Sequence, residues 1–354
     1  MSILFSPLRI KDTILKNRIV LSPMCQYSAV DGYANDWHLV HLGSRAAGGT
    51  GLIIQEATAI SPEGRITPSD LGLYHEDHIE KLQQITGFIH QQGSIAGIQI
   101  AHAGRKAGCA EPWKGGKQLG TRNKGWETVS SSAFAFNPED ETPHELDDAG
   151  IRKILSDFEN AAERAFHAGY RVLEIHAAHG YLLHQFLSPL SNHRKDQYGG
   201  KFENRIRLLT EVVAAVQRVW PYNLPLFVRI STTDWAEGGW NPGEAVRLVG
   251  LLKEMGVDLI DCSSGGLVPY QKIPLAPGYQ VQFSEKIRKE AGILTSAIGL
   301  ITTAHQAEEI LQRKAADLIM LGRELLREPY FPLKAAAILG DETTWPLQYI
   351  RSKI

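Results

Sequence analysis

In the stretch EIHAAHGYLLHQFLSPLSNHR, Glu174 to Arg194, two histidines and a tyrosine follow directly on the apolar run Val172 to Ile175: His176, His179 and Tyr181. Two imidazoles and a phenol this close together could bind a metal, move a proton, or only pack. Residues three apart in a strand face opposite sides, so the imidazoles converge only if the chain has left the strand and begun to coil, as Gly180 permits. A catalytic zinc would need a third protein ligand. Gln99, Arg229 and Cys25 are the main candidates, and a guanidinium is hostile to a cation; His102 or Glu56 keeps the metal reading open. Two neutral imidazoles donating N–H bonds instead suit an oxygen that gains negative charge during a reaction. Tyr181 then supplies a proton from a phenol of ordinary pKa about 10. The chain shows no obvious reductant or nucleophile of its own, a gap that a phosphate-bearing cofactor would fill.

These residues need elements to position them. Short runs rich in Ile, Val and Leu start at Arg18, Gly51, Ser94, Arg171, Pro225, Val257, Gly292 and Ala316, and longer amphipathic segments separate them. Helices are expected over Asp147 to His167, with Gly169 as its stop, Phe202 to Trp220, Gly243 to Met255, preceded by Pro242, and Thr302 to Gln312. Eight βα units in order predict an α/β fold, a (β/α)8 TIM barrel. An open doubly wound sheet would carry a Gly-rich fingerprint after its first strand, and RIVLSPMCQYS has no G-x-G. Three stretches exceed the barrel: an N-terminal hairpin closing its bottom, a lid excursion over 103–146 after the third strand, and a tail over 340–354. One domain over 1–354 is the expectation.

In such barrels chemistry sits at the carboxyl ends of the strands. Those ends are polar here: Ser22, Pro23, Met24 and Cys25; Glu56 and Ala57; Gln99 and His102; His176 and His179; Arg229; Ser263 and Ser264; Ala297 and Gly299; Gly322 and Arg323. The last two loops, SAIGLIT and LGRELLREP, fit a phosphate site, with Gly299 allowing close backbone approach and Gly322 and Arg323 opening a helix. The blander alternative, that the glycines only turn the chain and Arg323 pairs with a surface carboxylate, holds for either loop alone. Together, in these two positions, phosphate is favoured. Trp37, in NDWHLVH, is assigned to the core.

Formal net charge is −2, with 43% hydrophobic and 21% charged residues and no dense Lys/Arg tract, which points away from nucleic acid and anionic membranes and towards a small molecule. Three cysteines, Cys25, Cys109 and Cys262, are too few and too scattered for a disulfide framework and suit a reducing compartment. With no signal-like start and no long uncharged apolar window, the cytoplasm is expected.

The motifs LKNRIVLSPMCQYS, GLIIQEATAISPEGRI, GIQIAHAGRKA, EIHAAHGYLLHQFLSPLSNHRKDQYGGKFENRIR, DLIDCSSGG and DLIMLGRELLREP occur in the order seen in the Old Yellow Enzyme family of FMN-dependent ene-reductases, which the chain resembles over essentially its whole length. Cys25, Tyr27 and HAAH resemble its bacterial, thermophilic-like branch, with the YqjM-type enzymes and xenobiotic reductases. The resemblance implies bound FMN with NADPH or NADH as reductant. Ser22, Pro23, Met24 and Cys25 would line the isoalloxazine, the Cys25 thiol tuning its potential. Ala57, Gln99 and Arg229 would contact the ring, Ser263 would belong to the cofactor site, and Gly299, Gly322 and Arg323 would hold the phosphate. His176 and His179 would bind a carbonyl or nitro oxygen, Tyr181 would donate the proton, and Tyr27 would be a substrate-side donor. No metal is implied.

The reaction implied is reduction of the activated C=C bond of an α,β-unsaturated carbonyl compound, with nitro compounds and nitrate esters as further substrates. Related members form homodimers or homotetramers in which a C-terminal aromatic or arginine enters the neighbouring site; Tyr349 and Arg351 in LQYIRSKI resemble those residues. Leu275, in QKIPLAPGYQ, stands where one subgroup of xenobiotic reductases has tryptophan, which predicts a wider substrate pocket. Three readings compete: a 2,4-dienoyl-CoA-reductase-like enzyme, disfavoured by three scattered cysteines and a chain of 354 residues; a metal-dependent barrel hydrolase using His176 and His179; and a flavin-binding module without turnover.

Overall fold

The inward-facing positions of the strands change character from one end of the molecule to the other. Strand neighbours alternate between faces. Val172, Phe227 and Leu259 share an inner apolar cluster with Val20, Leu52, Ile54, Leu318 and Met320, while the intervening residues pack outward against helices. Two residues further along, the same faces carry Glu174, Arg229 and Asp261, and two further still His176, Ser231 and Ser263. Each strand thus enters the interior greasy and leaves it polar.

A computed structural model describes residues 1–121 and 125–353; 122–124 of the lid excursion and residue 354 of the tail lie outside the described residues. Strands β1 (Leu8–Ile10) and β2 (Thr13–Leu15) pair antiparallel, and Ile10 and Leu15 pack into the inner cluster. This is the expected hairpin plugging the barrel bottom. The barrel strands are β3 (Ile19–Leu21), β4 (Leu52–Ala59), β5 (Ile95–Ala101), then, after the short pair β6 (Val129–Ser130) and β7 (His144–Glu145) in the lid excursion, β8 (Val172–Ala177), β9 (Leu226–Ser231), β10 (Leu259–Ser263), β11 (Leu294–Ala297) and β12 (Leu318–Leu321). They close in sequence order, every pair parallel, with β12 returning to β3. The chain is the (β/α)8 barrel that the eight units predicted.

Helices α1 (Asp36–Ala47), α2 (Ile79–Gln91), α3 (Asp148–His167), α4 (Leu182–Leu187), α5 (Phe202–Arg205), α6 (Arg207–Gln217), α7 (Pro242–Glu254), α8 (Val281–Ala291), α9 (Ala304–Gln312), α10 (Arg323–Arg327) and α11 (Phe331–Leu339) surround the barrel. Their starts follow local chemistry. Asp147 accepts from Gly150 N ahead of α3, and Asn241 accepts from Gly243 N and Glu244 N with Pro242 at the first turn of α7. The helix expected over Phe202 to Trp220 is divided at Ile206 and stops at Gln217, in keeping with the restriction Pro221 places on Trp220. Trp37 is not core: it is 56% exposed on α1, its indole donating to Gln26 Oε1 at 3.1 Å. Among the described residues, no helix is long and apolar enough to cross a membrane.

Candidate active site

At the polar end of the barrel a cavity of about 290 Å³ is walled by Ser22, Pro23, Met24, Cys25, Ala57 and Gln99 on one side, and by His176, His179, Tyr181 and Arg229 on the other. It shares Ile298, Gly322 and Arg323 with a second cavity of about 200 Å³ bounded by Gln280, Gly299, Leu300 and Arg327. The two form one elongated trough running from the imidazoles to the loops after β11 and β12. A β-bulge decides one wall: the register of β4 against β5 shifts between Gln55 and Ala57. Ala57 therefore faces the cavity, while Glu56 turns away to accept from Gln26 N at 2.7 Å and to lie 3.6 Å from His38 Nε2.

His176 is the hub of the opening trio. Its ring centroid is 5.1 Å from those of both His179 and Tyr181, with edge-to-face angles of 86° and 83°. The convergence depends on backbone: His179 has φ +57° and Gly180 φ +74°. A side chain at 180 would strike the Gly266 carbonyl oxygen at 2.2 Å, so only glycine fits. Holding a histidine in the left-handed region costs on the order of 1 kcal/mol, which the surroundings must over-determine. Tyr27 is likewise left-handed, φ +49°, its ring edge-on to Trp113 at 5.8 Å.

Hydrogen bonding assigns the ring proton of His176. His176 Nδ1 accepts from Ala178 N at 3.3 Å, leaving Nε2–H as the donor available to the cavity. His179 Nε2 lies 2.6 Å from Ser263 Oγ. Ser263 Oγ in turn donates to Gln280 Oε1 at 3.4 Å, an oxygen that also accepts from Ser264 Oγ at 2.6 Å. Ser263 itself lines neither cavity and lies beside His179.

Burial holds both imidazoles well below the usual histidine range, reinforced by the Arg229 charge, so both are neutral donors at neutral pH. Burial likewise pushes the Tyr181 phenol well above its ordinary value, keeping its proton in place until a strong base forms beside it. The Cys25 thiol is raised too, by burial first and then by Asp70 and Glu56, and is a neutral thiol. Beneath the trough, Arg229 Nε lies 2.9 Å from Asp261 Oδ2 and Gln99 Nε2 donates to Glu174 Oε1 at 2.7 Å. Burial, with Asp261 nearby, lifts the Glu174 carboxyl to about 8, so at neutrality one guanidinium faces essentially one carboxylate.

A metal is poorly served here. Among the described residues no three His, Cys, Asp or Glu side chains converge as ligands. His102 Nδ1 accepts from Gly104 N, and Glu56 is engaged with Gln26 and His38.

At the other end of the trough Gly299 has φ +117°, and a Cβ there would crowd Gln280 and Tyr279 at 3.1–3.2 Å. Arg323 is exposed at the first position of α10, and the neighbouring carboxylate, Glu324, pairs with Arg327 at 2.5 Å. A guanidinium, Arg229, at one end and a backbone-lined cradle at Gly299 and Gly322 with the cation Arg323 at the other are groups that would suit the ring and the phosphate of FMN.

Sequence reasoning missed several neighbours. Lys106, in the quoted GRKA, donates to His179 O at 2.9 Å and Gly266 O at 3.0 Å. A lysine set among small residues after a barrel strand was the available signal. Gln280 and Arg327 at the other end of the trough were not singled out, although Arg327 lies within the quoted LGRELLREP. The lid excursion supplies Phe136 and Cys109 to a cavity of about 180 Å³ beside Tyr27 and Tyr181. Tyr349 and Arg351 lie on the tail, away from this chain's own trough, with Tyr349 Oη 3.4 Å from Tyr330 Oη. Leu275 is 69% exposed and lines neither cavity.

The fold and the trough define a flavin-dependent barrel oxidoreductase. Residues 3–342 match the NADH:flavin oxidoreductase / NADH oxidase family. The chain is 49% identical to an NADPH dehydrogenase of Listeria monocytogenes over 99% of both chains, and 49% identical to one of Bacillus subtilis over 98% of both. Morphinone reductase superposes with a TM-score of 0.81 at 28% identity, covering 98% of this chain and 91% of that one. The chain therefore belongs to the NADH:flavin oxidoreductase / NADH oxidase family, the Old Yellow Enzyme family, and is an NAD(P)H-dependent oxidoreductase whose cofactor is FMN.

Proposed function

We propose that this enzyme reduces the activated C=C bond of α,β-unsaturated carbonyl compounds, with nitro compounds and nitrate esters as further substrates. When bound, FMN supplies the hydride, taken from NADPH or NADH. The observation that carries the reading is the convergence of His176, His179 and Tyr181 over one wall of the trough. Both imidazoles, neutral by burial, donate to the substrate oxygen and draw electron density from the β-carbon. Their hydrogen bonds strengthen as that oxygen becomes an enolate, so they stabilise the transition state more than the ground state. Tyr181, whose phenol gives up its proton only to a strong base, protonates the α-carbon. Tyr27 donates from the lid side, and Cys25 presents a neutral thiol on the cofactor side.

Two further readings go with this one. The exposed apolar groups Trp37 and Val40 on α1, with Tyr349 and Ile350 on the tail, support a homodimer or homotetramer in which Tyr349 and Arg351 reach a neighbouring site. Three free cysteines support a cytoplasmic location. The test of the reaction is anaerobic: the flavin of the purified holoenzyme is reduced with NADPH and then mixed with cyclohexenone. Stoichiometric reoxidation with formation of cyclohexanone is expected; a flavin that stays reduced across enones, maleimides and nitroalkenes would refute the reading.

A further inference from the structure

The strained turn that brings the trio together is held at every backbone polar atom. His179 N donates to Ser231 Oγ at 2.9 Å, and His179 O accepts from Lys106 Nζ at 2.9 Å. Gly180 N donates to His184 Nδ1 at 2.9 Å, and Gly180 O accepts from Gln185 Nε2 at 2.7 Å. Tyr181 N closes the turn on Ala178 O at 3.1 Å. Of these partners His184 stands apart, because it is a buried titratable group for which the proposed reaction has no use.

His184 and Asp234 are both fully buried, with Nε2 2.8 Å from Asp234 Oδ1. The approach is bent from the line of a good N–H bond, so its worth lies in charge and proximity. The ring's proton is nevertheless determined. Nδ1 accepts the Gly180 amide hydrogen, so the proton of the neutral ring must be on Nε2, facing the carboxylate. Asp234 is itself locked: Oδ2 accepts from Ser188 Oγ at 2.6 Å and from Trp240 N at 2.7 Å. Packing alone does not account for the pair. A buried polar contact of this kind is often no more stabilising than an apolar pair of equal volume, and its attested use is to specify one arrangement. Here the arrangement specified is a left-handed histidine.

We propose that Asp234 and His184 are positioning residues for the active site: Asp234 keeps the proton on His184 Nε2, and the bare Nδ1 then anchors the Gly180 amide, setting the orientation of His179 and Tyr181. The inference rests on the oxyanion reading for its purpose, while its geometry stands without it.

The test compares three variants of the holoenzyme. His184→Leu keeps bulk and removes the acceptor; His184→Asn places Oδ1 near the Nδ1 position and keeps it. Asp234→Asn turns an amide N–H towards Nε2, driving the ring proton onto Nδ1, where it opposes the Gly180 N–H. Phenol affinity, read from the visible spectrum of the bound flavin, is expected to fall about 10- to 100-fold in His184→Leu and Asp234→Asn. His184→Asn is expected to restore it to within about 3-fold of the parent, on the same outer-shell scale. Equal phenol affinity in the Leu and Asn variants at position 184, whether both unchanged or both lost, would overturn the proposal. Should His184→Leu not fold, Asp234→Asn against His184→Asn carries the same comparison. If the parent enzyme itself binds no phenol, the anion reading fails. Crystal structures of the variants then decide the positioning role: departure of His179 from positive φ in Asp234→Asn supports it, and an unmoved His179 overturns it.

Discussion

The two ends of the trough are built in opposite ways. At the proposed anion end the groups are a backbone cradle at Gly299 and Gly322, an exposed arginine, Arg323, and one buried side-chain amide, Gln280, held by Ser264. At the imidazole end, His179 and its turn are fixed by Ser231, Ser263, Lys106, His184 and Gln185, drawn from several strands and loops. On the proposed reading, the difference follows the lifetime of the charge each end would meet. A phosphate stays bound and can itself order the side chains around it. An enolate oxygen is charged only fleetingly, so its donors must be in place beforehand, and preorganisation is where electrostatic catalysis gains most.

Perturbing each end should therefore give different signatures. The largest effect is expected from Tyr181→Phe, which removes the only proton the trio can pass to carbon: reoxidation by an enone should slow by about 10²- to 10⁴-fold, with flavin reduction by NADPH nearly intact. Stopped-flow measurement of the two half-reactions checks this, and equal loss in both would contradict the assignment. Next comes His176→Ala. Loss of one oxyanion donor costs on the order of 3 kcal/mol, so phenol affinity should fall roughly 100-fold. An unchanged affinity would count against His176 as the donor.

Smaller still is the expected effect of Arg323→Ala at the anion end. A charge-assisted bond at an exposed position is worth about 1–3 kcal/mol, so FMN should leave more readily on dialysis while enone reduction per bound flavin stays the same. A variant that keeps its flavin as firmly as the parent would place the phosphate elsewhere. The least effect concerns pH. Both imidazoles are depressed in the folded state, by burial and then by Arg229, whereas unfolded histidines protonate near pH 6.5. Their contribution is complete above that pH and is lost as pH falls, because the unfolded chain then binds the extra protons. Melting temperature should decline from pH 6.5 to 5, and His176→Gln should flatten the decline; an unaltered slope would show that the imidazole is not the group responsible.

What could be read in advance and what could not divides along the same lines. Short continuous apolar runs marked all eight barrel strands, since a strand buried on both faces has little room for anything else. Strand ends then located Cys25, Gln99, His176, Arg229 and Arg323 on the trough wall, because this fold exposes chemistry only there. Exposure of Trp37 was invisible, as nothing local distinguishes an apolar residue on an outer helix from one in the core. The contact of Ser263 Oγ with His179 Nε2 was equally invisible, because the two residues stand far apart in the chain.

By itself, then, the order of amino acids determined the barrel, the polar rim and the kinds of group that meet there, because these rest on local periodicity and on glycines that permit a turn. Only the tertiary structure decided which tautomer His176 takes, that Ala57 rather than Glu56 faces the trough, and that His184 and Asp234 stand behind the turn. Those outcomes depend on atoms far apart in the chain, such as His184 and Asp234 or His179 and Ser263, meeting within hydrogen-bond range. No local pattern encodes a distance of that kind; closure of the barrel does.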